Sequence, residues 1–290
     1  MRWRVLLAYG VLYLVWGSTY LAMKVAVTTM PTFWAAALRF VVSGLVLFAV
    51  GRLSNRVPLT RAHVVTSVLQ GVLLLVLGNA SVMWAMKTVP SGVGALIIAV
   101  TPVFMALLGG DRRRSTWIGI AVGLVGIGIL VDPFGHSQNV PVLGALVLVL
   151  AALSWAAGSL LPRHMEIHPS NATAMGLQMI TGAVVQAGLA LVVGEPLVWA
   201  QTSAQSLWAV LYLAIFGSLI GFTSYGWLLK VEPPSRVATY AYVNPIVAVI
   251  LGAAIGGEPL TARVMVATAV IIAAVVLILR APSIASSRKI

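Results

Sequence analysis

The sequence predicts an all-α membrane protein, with ten transmembrane helices arranged as two inverted five-helix repeats. Three observations carry that prediction. The chain of 290 residues is 60% hydrophobic and only 8% charged, whereas a soluble domain carries about 25% charged residues. Its apolar runs recur at the length of about 20 residues that a helix needs to cross hydrocarbon. One block also occurs twice. GNASVMWAMKTVP from Gly78, with Pro102 following, is matched by GFTSYGWLLKVEP from Gly221, with Pro245 following. Gly78, Ser81, Trp84, Lys87, Pro90 and Pro102 pair with Gly221, Ser224, Trp227, Lys230, Pro233 and Pro245 at a single offset of 143. Such in-register self-similarity indicates duplication.

Composition narrows the functional classes. There is no cysteine, so disulfides, thiolate zinc sites and thiol nucleophiles are excluded. A net charge of +12 would suggest nucleic acid in a soluble protein. Here it reads as basic cytoplasmic loops, and no nucleic-acid partner is expected. The MRWR start followed by an apolar run mimics a signal peptide. The run extends past Tyr20 and more spans follow, so it is read as the first span.

The spans fall roughly at 5–27, 32–51, 62–84, 91–110, 115–131, 141–161, 171–193, 206–229, 236–256 and 262–280. With a cytoplasmic N-terminus, 14 Lys and Arg lie inside and 3 outside, namely Lys24, Lys87 and Arg263. That bias predicts both termini in the cytoplasm. Trp16 matches Trp155, and Arg39 matches Gln178, at offset 139; Gly109-Gly110-Asp111 resembles Gly256-Gly257-Glu258 at offset 147. The first repeat is therefore residues 1–135 and the second 136–290. Five spans per repeat is an odd number, so the halves enter the membrane in opposite senses. Inverted repeats of this kind build transporters whose site lies near the midplane between them.

The quoted residues resemble a known family. WGSTYLA at Trp16–Ala22, AAALRF at Ala35–Phe40, the paired S-x-x-W-x-x-K blocks, TPVF, NPIV and GGEPLT at Gly256–Thr261 are similar to the drug/metabolite transporter superfamily, EamA type. The resemblance covers nearly the whole chain. It implies two inverted five-helix repeats and export of small metabolites across the bacterial inner membrane. The layout is similar to exporters of aromatic and other neutral amino acids. Asp111-Arg112-Arg113-Arg114 departs from the family's usual Glu-Arg in the first repeat.

The six acidic residues, Asp111, Asp132, Glu166, Glu195, Glu232 and Glu258, fall in loops or at span ends, as do His63, His136, His164 and His168. A proton relay would place such a group at mid-membrane. Facilitated transport without a buried carboxylate is therefore expected, with coupling through a rim carboxylate left open. No acid–base pair is set up for catalysis, so no enzyme is expected. His164-x-Glu166-x-His168 is the sole ligand-like cluster and reads as a solvated loop; no metal and no cofactor are expected.

Pro102 and Pro245 lie within spans 4 and 9. Each removes a backbone donor and conflicts with the carbonyl four residues earlier, at Ile98 and Ala241. Paired bends there would open a cavity between the halves. Trp16 and Tyr20 on span 1, Asn79 and Met83 on span 3, Thr101, Trp155, and Tyr240 and Asn244 on span 9 are the candidate substrate-binding residues. Their amides and hydroxyls can bond an ammonium or carboxylate. Their rings can hold an apolar group or a cation. Each ring could instead serve packing or an interfacial belt, the reading preferred for Trp84 and Trp227. Arg39 lies about seven residues into span 2, roughly 10 Å deep. A charge there costs about 2.5 kcal/mol or more unless it finds partners. It either attracts a substrate carboxylate at the outer vestibule or is structural. Gly119, Gly123, Gly126 and Gly128 read as close helix packing on span 5. A small-molecule substrate and lipid are the expected partners. The choice between monomer and homodimer stays open. A carrier for drugs or lipophilic cations is the alternative transporter reading, and a membrane-embedded enzyme the alternative from another class.

Overall fold

A computed structural model describes residues 2–54, 57–110, 114–131, 140–196, 198–232, 237 and 240–280. Asp111, Asp132, His136 and Pro233, which figured in the sequence reading, lie outside these. Among the described residues all regular structure is helical.

Helix α1 runs through Arg2–Gly10, Val11–Trp16 and Gly17–Ala26. α2 is Thr32–Ser54, and α3 joins Arg61–Gln70, Gly71–Ala80 and Ser81–Ala85. α4 comes in two pieces, Ser91–Ile98 and Thr101–Leu108, and α5 is Arg114–Val131. α6 is Val142–Leu160 and α7 is Asn171–Val193. α8 joins Ala204–Tyr212, Leu213–Ile220 and Gly221–Val231. α9 is Tyr240–Ala254 and α10 is Ala262–Arg280. Six stretches are long and apolar enough to cross a membrane: Trp3–Ala26, Thr32–Ser54, Arg61–Ala85, Val142–Arg163, Asn171–Val193 and Ala204–Leu228. Large apolar side chains such as Leu53, Leu191 and Val192 point outward, where lipid rather than water would suit them.

Local chemistry sets the helix ends. Thr60 caps α3 by accepting from the His63 N–H at 3.2 Å, while the His63 ring accepts from the Thr60 N–H at 3.3 Å. Ser170 and Ser203 cap α7 and α8 by accepting from the Thr173 and Ser206 N–H groups. Gly194, at φ +72°, ends α7 in a left-handed turn.

The packing has a mirrored pattern. α2 packs along α7, α4 against α9, and α5 against α10. α1 packs on α8 and α9, and α3 and α4 pack correspondingly on α6. The closest approach is between α2 and α7. A Cβ on Gly51 would strike Thr173, and one on Gly176 would strike the Phe48 backbone. Small residues at these crossings let the backbones meet. The glycines expected to pack span 5 do less. Gly126 abuts Ile271 of α10, but Gly128 faces open space.

The prolines act unequally. α4 breaks at Ala99–Val100, ahead of Pro102, which sits in the first turn of the second piece. The freed Ile98 carbonyl is taken by the Thr101 hydroxyl at 2.6 Å. Pro245 instead lies inside one uninterrupted helix. The expected pair of bends is thus a full break in α4 and a helix that carries its proline in α9.

Candidate functional site

Three stretches, Val11–Trp16, Gly71–Ala80 and Leu213–Ile220, are wound as wider π-type turns inside α1, α3 and α8. Such turns are rare and often mark functional sites. They leave carbonyls that regular helical bonds do not absorb, and in a lipid-embedded bundle each needs a donor. Side chains from other helices supply them. Trp16 Nε1 donates to the Gly217 carbonyl at 3.1 Å, and Ser43 Oγ to that of Ala214 at 2.9 Å. Ser154 Oγ and Gln186 Nε2 each donate, at 2.8 Å, to the Leu73 and Leu75 carbonyls. With its amide nitrogen turned toward them, Asn244 donates to the carbonyls of Leu12 at 3.1 Å, Tyr13 at 3.3 Å and Tyr240 at 3.2 Å.

Arg39 lies among these turns. It is only 2% exposed. Its Nε donates to Ser218 Oγ at 2.9 Å and its Nη1 to Asn79 Oδ1 at 3.0 Å, so it ties the wide turn of α3 to that of α8. Its guanidinium stands 4.8 Å from the Phe40 ring centre. No described carboxylate lies within ion-pair distance of it. Of the two sequence readings of Arg39, the outer vestibule does not fit this enclosed position.

Beside Arg39 stands an aromatic cluster. The Trp16 ring has Tyr240, Tyr225 and Phe222 at centroid distances of 5.2, 5.4 and 5.6 Å, and Trp155 lies 6.3 Å from Phe222. Tyr225, Tyr240 and Trp155 keep part of their surface accessible although protein surrounds them. Tyr20 and Tyr240 both pack against the neighbouring apolar core, and Tyr20 is also partly accessible.

The candidate residues therefore separate. Trp16, Tyr20, Trp155 and Tyr240 gather around the cluster. Asn79 holds Arg39, Asn244 spans α9 and α1, and the Thr101 hydroxyl serves Ile98. Met83 is fully enclosed in the core and presents no accessible surface. Trp84 and Trp227 pack against the cores rather than joining the cluster. Gly217, Ser218, Phe222 and Tyr225 were not singled out from sequence. Phe222 and Tyr225 lie within the repeated GFTSYGW block, so the signal was present. Nothing local in AIFGSLIG marks Ser218 as an Arg partner.

A second polar site closes one end of the bundle. Lys24 Nζ donates to Glu258 Oε1 at 2.7 Å, so Lys24 is paired and does not simply reach for the surface as a span-end lysine would. Glu258 also accepts from the Ser91 and Gly92 N–H groups at the start of α4. Glu195 likewise accepts from the Thr32 and Phe33 N–H groups at the start of α2. Carboxylates at helix N-termini are favoured by the unpaired N–H groups and the dipole. A cleft of about 300 Å³ opens beside Glu258, between Pro90, Val140, Val249 and Pro259, at the bundle end and apart from Arg39. His164 and Glu166 are exposed, whereas His168 is buried against Val57 and Ser170. No three potential metal ligands converge among the described residues.

The EamA-like transporter family matches residues 3–131 and again 142–280. The chain is 37% identical over 288 residues to a protein of Escherichia coli (strain K12) named "Uncharacterized inner membrane transporter YedA", covering 96% of this chain and 92% of that one. It is 27% identical over 276 residues, 89% of each chain, to a Salmonella typhimurium (strain LT2) protein named "Probable amino-acid metabolite efflux pump". A crystal structure of a protein 18% identical in sequence shares the fold, with a TM-score of 0.64 over 99% of both chains. With both stretches matched, this multi-pass membrane protein belongs to the EamA-like transporter family of the drug/metabolite transporter superfamily.

Proposed function

We propose that the chain exports small metabolites, neutral and aromatic amino acids foremost, across the bacterial inner membrane by alternating access between two inverted five-helix repeats, 1–135 and 136–290. The observation that carries this reading is the buried Arg39 beside the Trp16 cluster, where wide turns of α3 and α8, one from each repeat, are tied together. An aromatic amino acid offers a carboxylate to such a cation and a ring to such a cluster. The relative named as an amino-acid metabolite efflux pump points the same way.

The inverted arrangement draws support from paired contacts at opposite ends of α2. Thr29 Oγ1 donates to Ser206 Oγ at 2.9 Å at one end. The sequence offsets of 139 and 143 relate Thr29 to His168, and His63 to Ser206. The rings of His63 and His168 meet at 5.2 Å at the other end. One contact and its repeat counterpart thus close opposite faces, as alternating access between inverted repeats requires. With the N-terminus in the cytoplasm, the Lys24–Glu258 end is the outer face.

The aromatic cluster alone would equally suit a lipophilic cation. Arg39 in the same site repels one, which favours the amino-acid reading over drug efflux. Purified protein in liposomes loaded with labelled phenylalanine, tryptophan or alanine tests this directly. Efflux without an imposed pH gradient is expected. Complete dependence on that gradient would defeat the facilitated mechanism, and no efflux of any of the three would defeat the substrate assignment.

A further inference from the structure

We propose that Arg39 is the subsite for the carboxylate of the transported molecule, so that an anionic carboxyl group next to an apolar ring defines the substrate class. This rests on the exporter reading and sharpens it.

The guanidinium carries five N–H donors. Nε and one donor of Nη1 are committed to Ser218 and Asn79. Among the described residues Nη2 has no acceptor. Nη2 packs directly over Gly217: a Cβ there would stand 3.2 Å from Nη2 and 3.0 Å from the Thr19 methyl, so the missing side chain is what lets the guanidinium reach this position. A purely structural arginine in an apolar bundle would be expected to spend its remaining donors on carbonyls or a carboxylate. The carbonyls of the same wide turn bond other side-chain donors. Gly217 O accepts from Trp16, and Ala214 O from Ser43. What is left is a buried positive group with uncommitted Nη donors, which a carboxylate can accept from.

Placement supplies the rest of the recognition. Trp16 and Arg39 meet the same Gly217–Ser218 segment of α8, one through the carbonyl and the other through the hydroxyl. A carboxylate on Nη2 would therefore lie next to the Trp16, Tyr225 and Tyr240 rings. A bound carboxylate compensates the guanidinium locally. Empty, it holds an uncompensated cation. The carboxylate thus lowers the cost of carrying Arg39 through the change of access. Amines and amides of similar shape cannot do so.

The test uses the full-length protein with four probes: phenylalanine, 3-phenylpropanoate, phenylalaninamide and phenethylamine. In detergent, phenylalanine and 3-phenylpropanoate are expected to raise the thermal midpoint, and to bind about ten-fold or more tightly than the two probes lacking a carboxylate. R39Q is expected to abolish that preference, and R39K, which keeps the charge but loses the fork, to weaken it. The wild-type comparison needs no variant to fold. Equal binding of phenylalanine and phenethylamine, or an unchanged carboxylate preference in folded R39Q, would overturn the subsite. Liposome flux separates the two levels. Flux that treats phenylalanine and phenylalaninamide alike sinks the subsite and leaves the exporter standing. Absence of flux for all four probes sinks both.

Discussion

Lys24 Nζ donates to Glu258 Oε1 at 2.7 Å, joining α1 to the loop before α10. Because the same carboxylate holds the first two N–H groups of α4, one side chain fastens three elements. These three elements can separate at this end of the bundle only if the contact is undone.

That contact makes an acid-sensitive prediction. Burial alone would raise the Glu258 carboxyl. The hydrogen bond from Lys24, the Ser91 and Gly92 N–H groups and the Lys24 charge outweigh it and hold the group below the ordinary carboxylate range. A carboxyl depressed in the folded state contributes stability that is fully present above its unfolded value, near 4.3. That contribution is lost as pH falls through the folded value. Thermal midpoints of the wild type are expected to hold from pH 7 to about 5 and to fall in more acidic buffer. E258A is expected to start lower, by about 1–3 kcal/mol for the donors it strands, and to lose the acid-dependent part of the fall. Parallel acid profiles for the two proteins would contradict this.

The α2–α7 crossing gives a packing prediction. Gly176 stands against the Phe48 backbone, which cannot yield as a flexible side chain would. G176V therefore has to push the two helices apart, at about 1–3 kcal/mol or more. Gly188 on the same helix faces open space, so G188A serves as the control. Folded yield by size-exclusion chromatography should drop sharply for G176V and stay near wild type for G188A.

Much of the helical frame was readable because its signals are one-dimensional. Apolar run length marks the six long spans, and the paired Trp16 and Trp155, or Pro102 and Pro245, mark the duplication. The site was only partly readable. Trp16, Tyr20, Trp155 and Tyr240 stand out as aromatic residues near polar breaks, and they do gather. Arg39 stands out as a charge in an apolar run, but its partners Asn79 and Ser218 come from α3 and α8, and no spacing rule links them. The wide turns were not legible at all. Val11–Trp16 and Leu213–Ile220 contain ordinary helix formers. In each wide turn a donor from another helix meets a carbonyl, a tertiary contact that local sequence does not encode. The same limit explains Met83, whose spacing placed it beside Asn79 but whose side chain turns into the core.

Asn244 carries the last prediction, since its sequence position suggested substrate contact and its geometry gives it a second task. Its amide reaches the Leu12 and Tyr13 carbonyls in the wide turn of α1 as well as Tyr240 on its own helix. N244A removes the side-chain donor to the Leu12 and Tyr13 carbonyls, of which Tyr13 keeps the Gly17 N–H; the loss at Leu12 is about 1–3 kcal/mol in the limit where nothing replaces the donor. N244D keeps the shape but presents oxygen to oxygen and should be worse. If Asn244 only holds α9 to α1, both variants should lower the thermal midpoint. Phenylalanine should still stabilise whatever protein remains folded, by nearly the wild-type increment. If it also touches substrate, that increment should shrink in N244A more than in G176V, a variant destabilised far from the site. Comparing the ligand-induced shift across these variants separates an anchoring amide from a binding one.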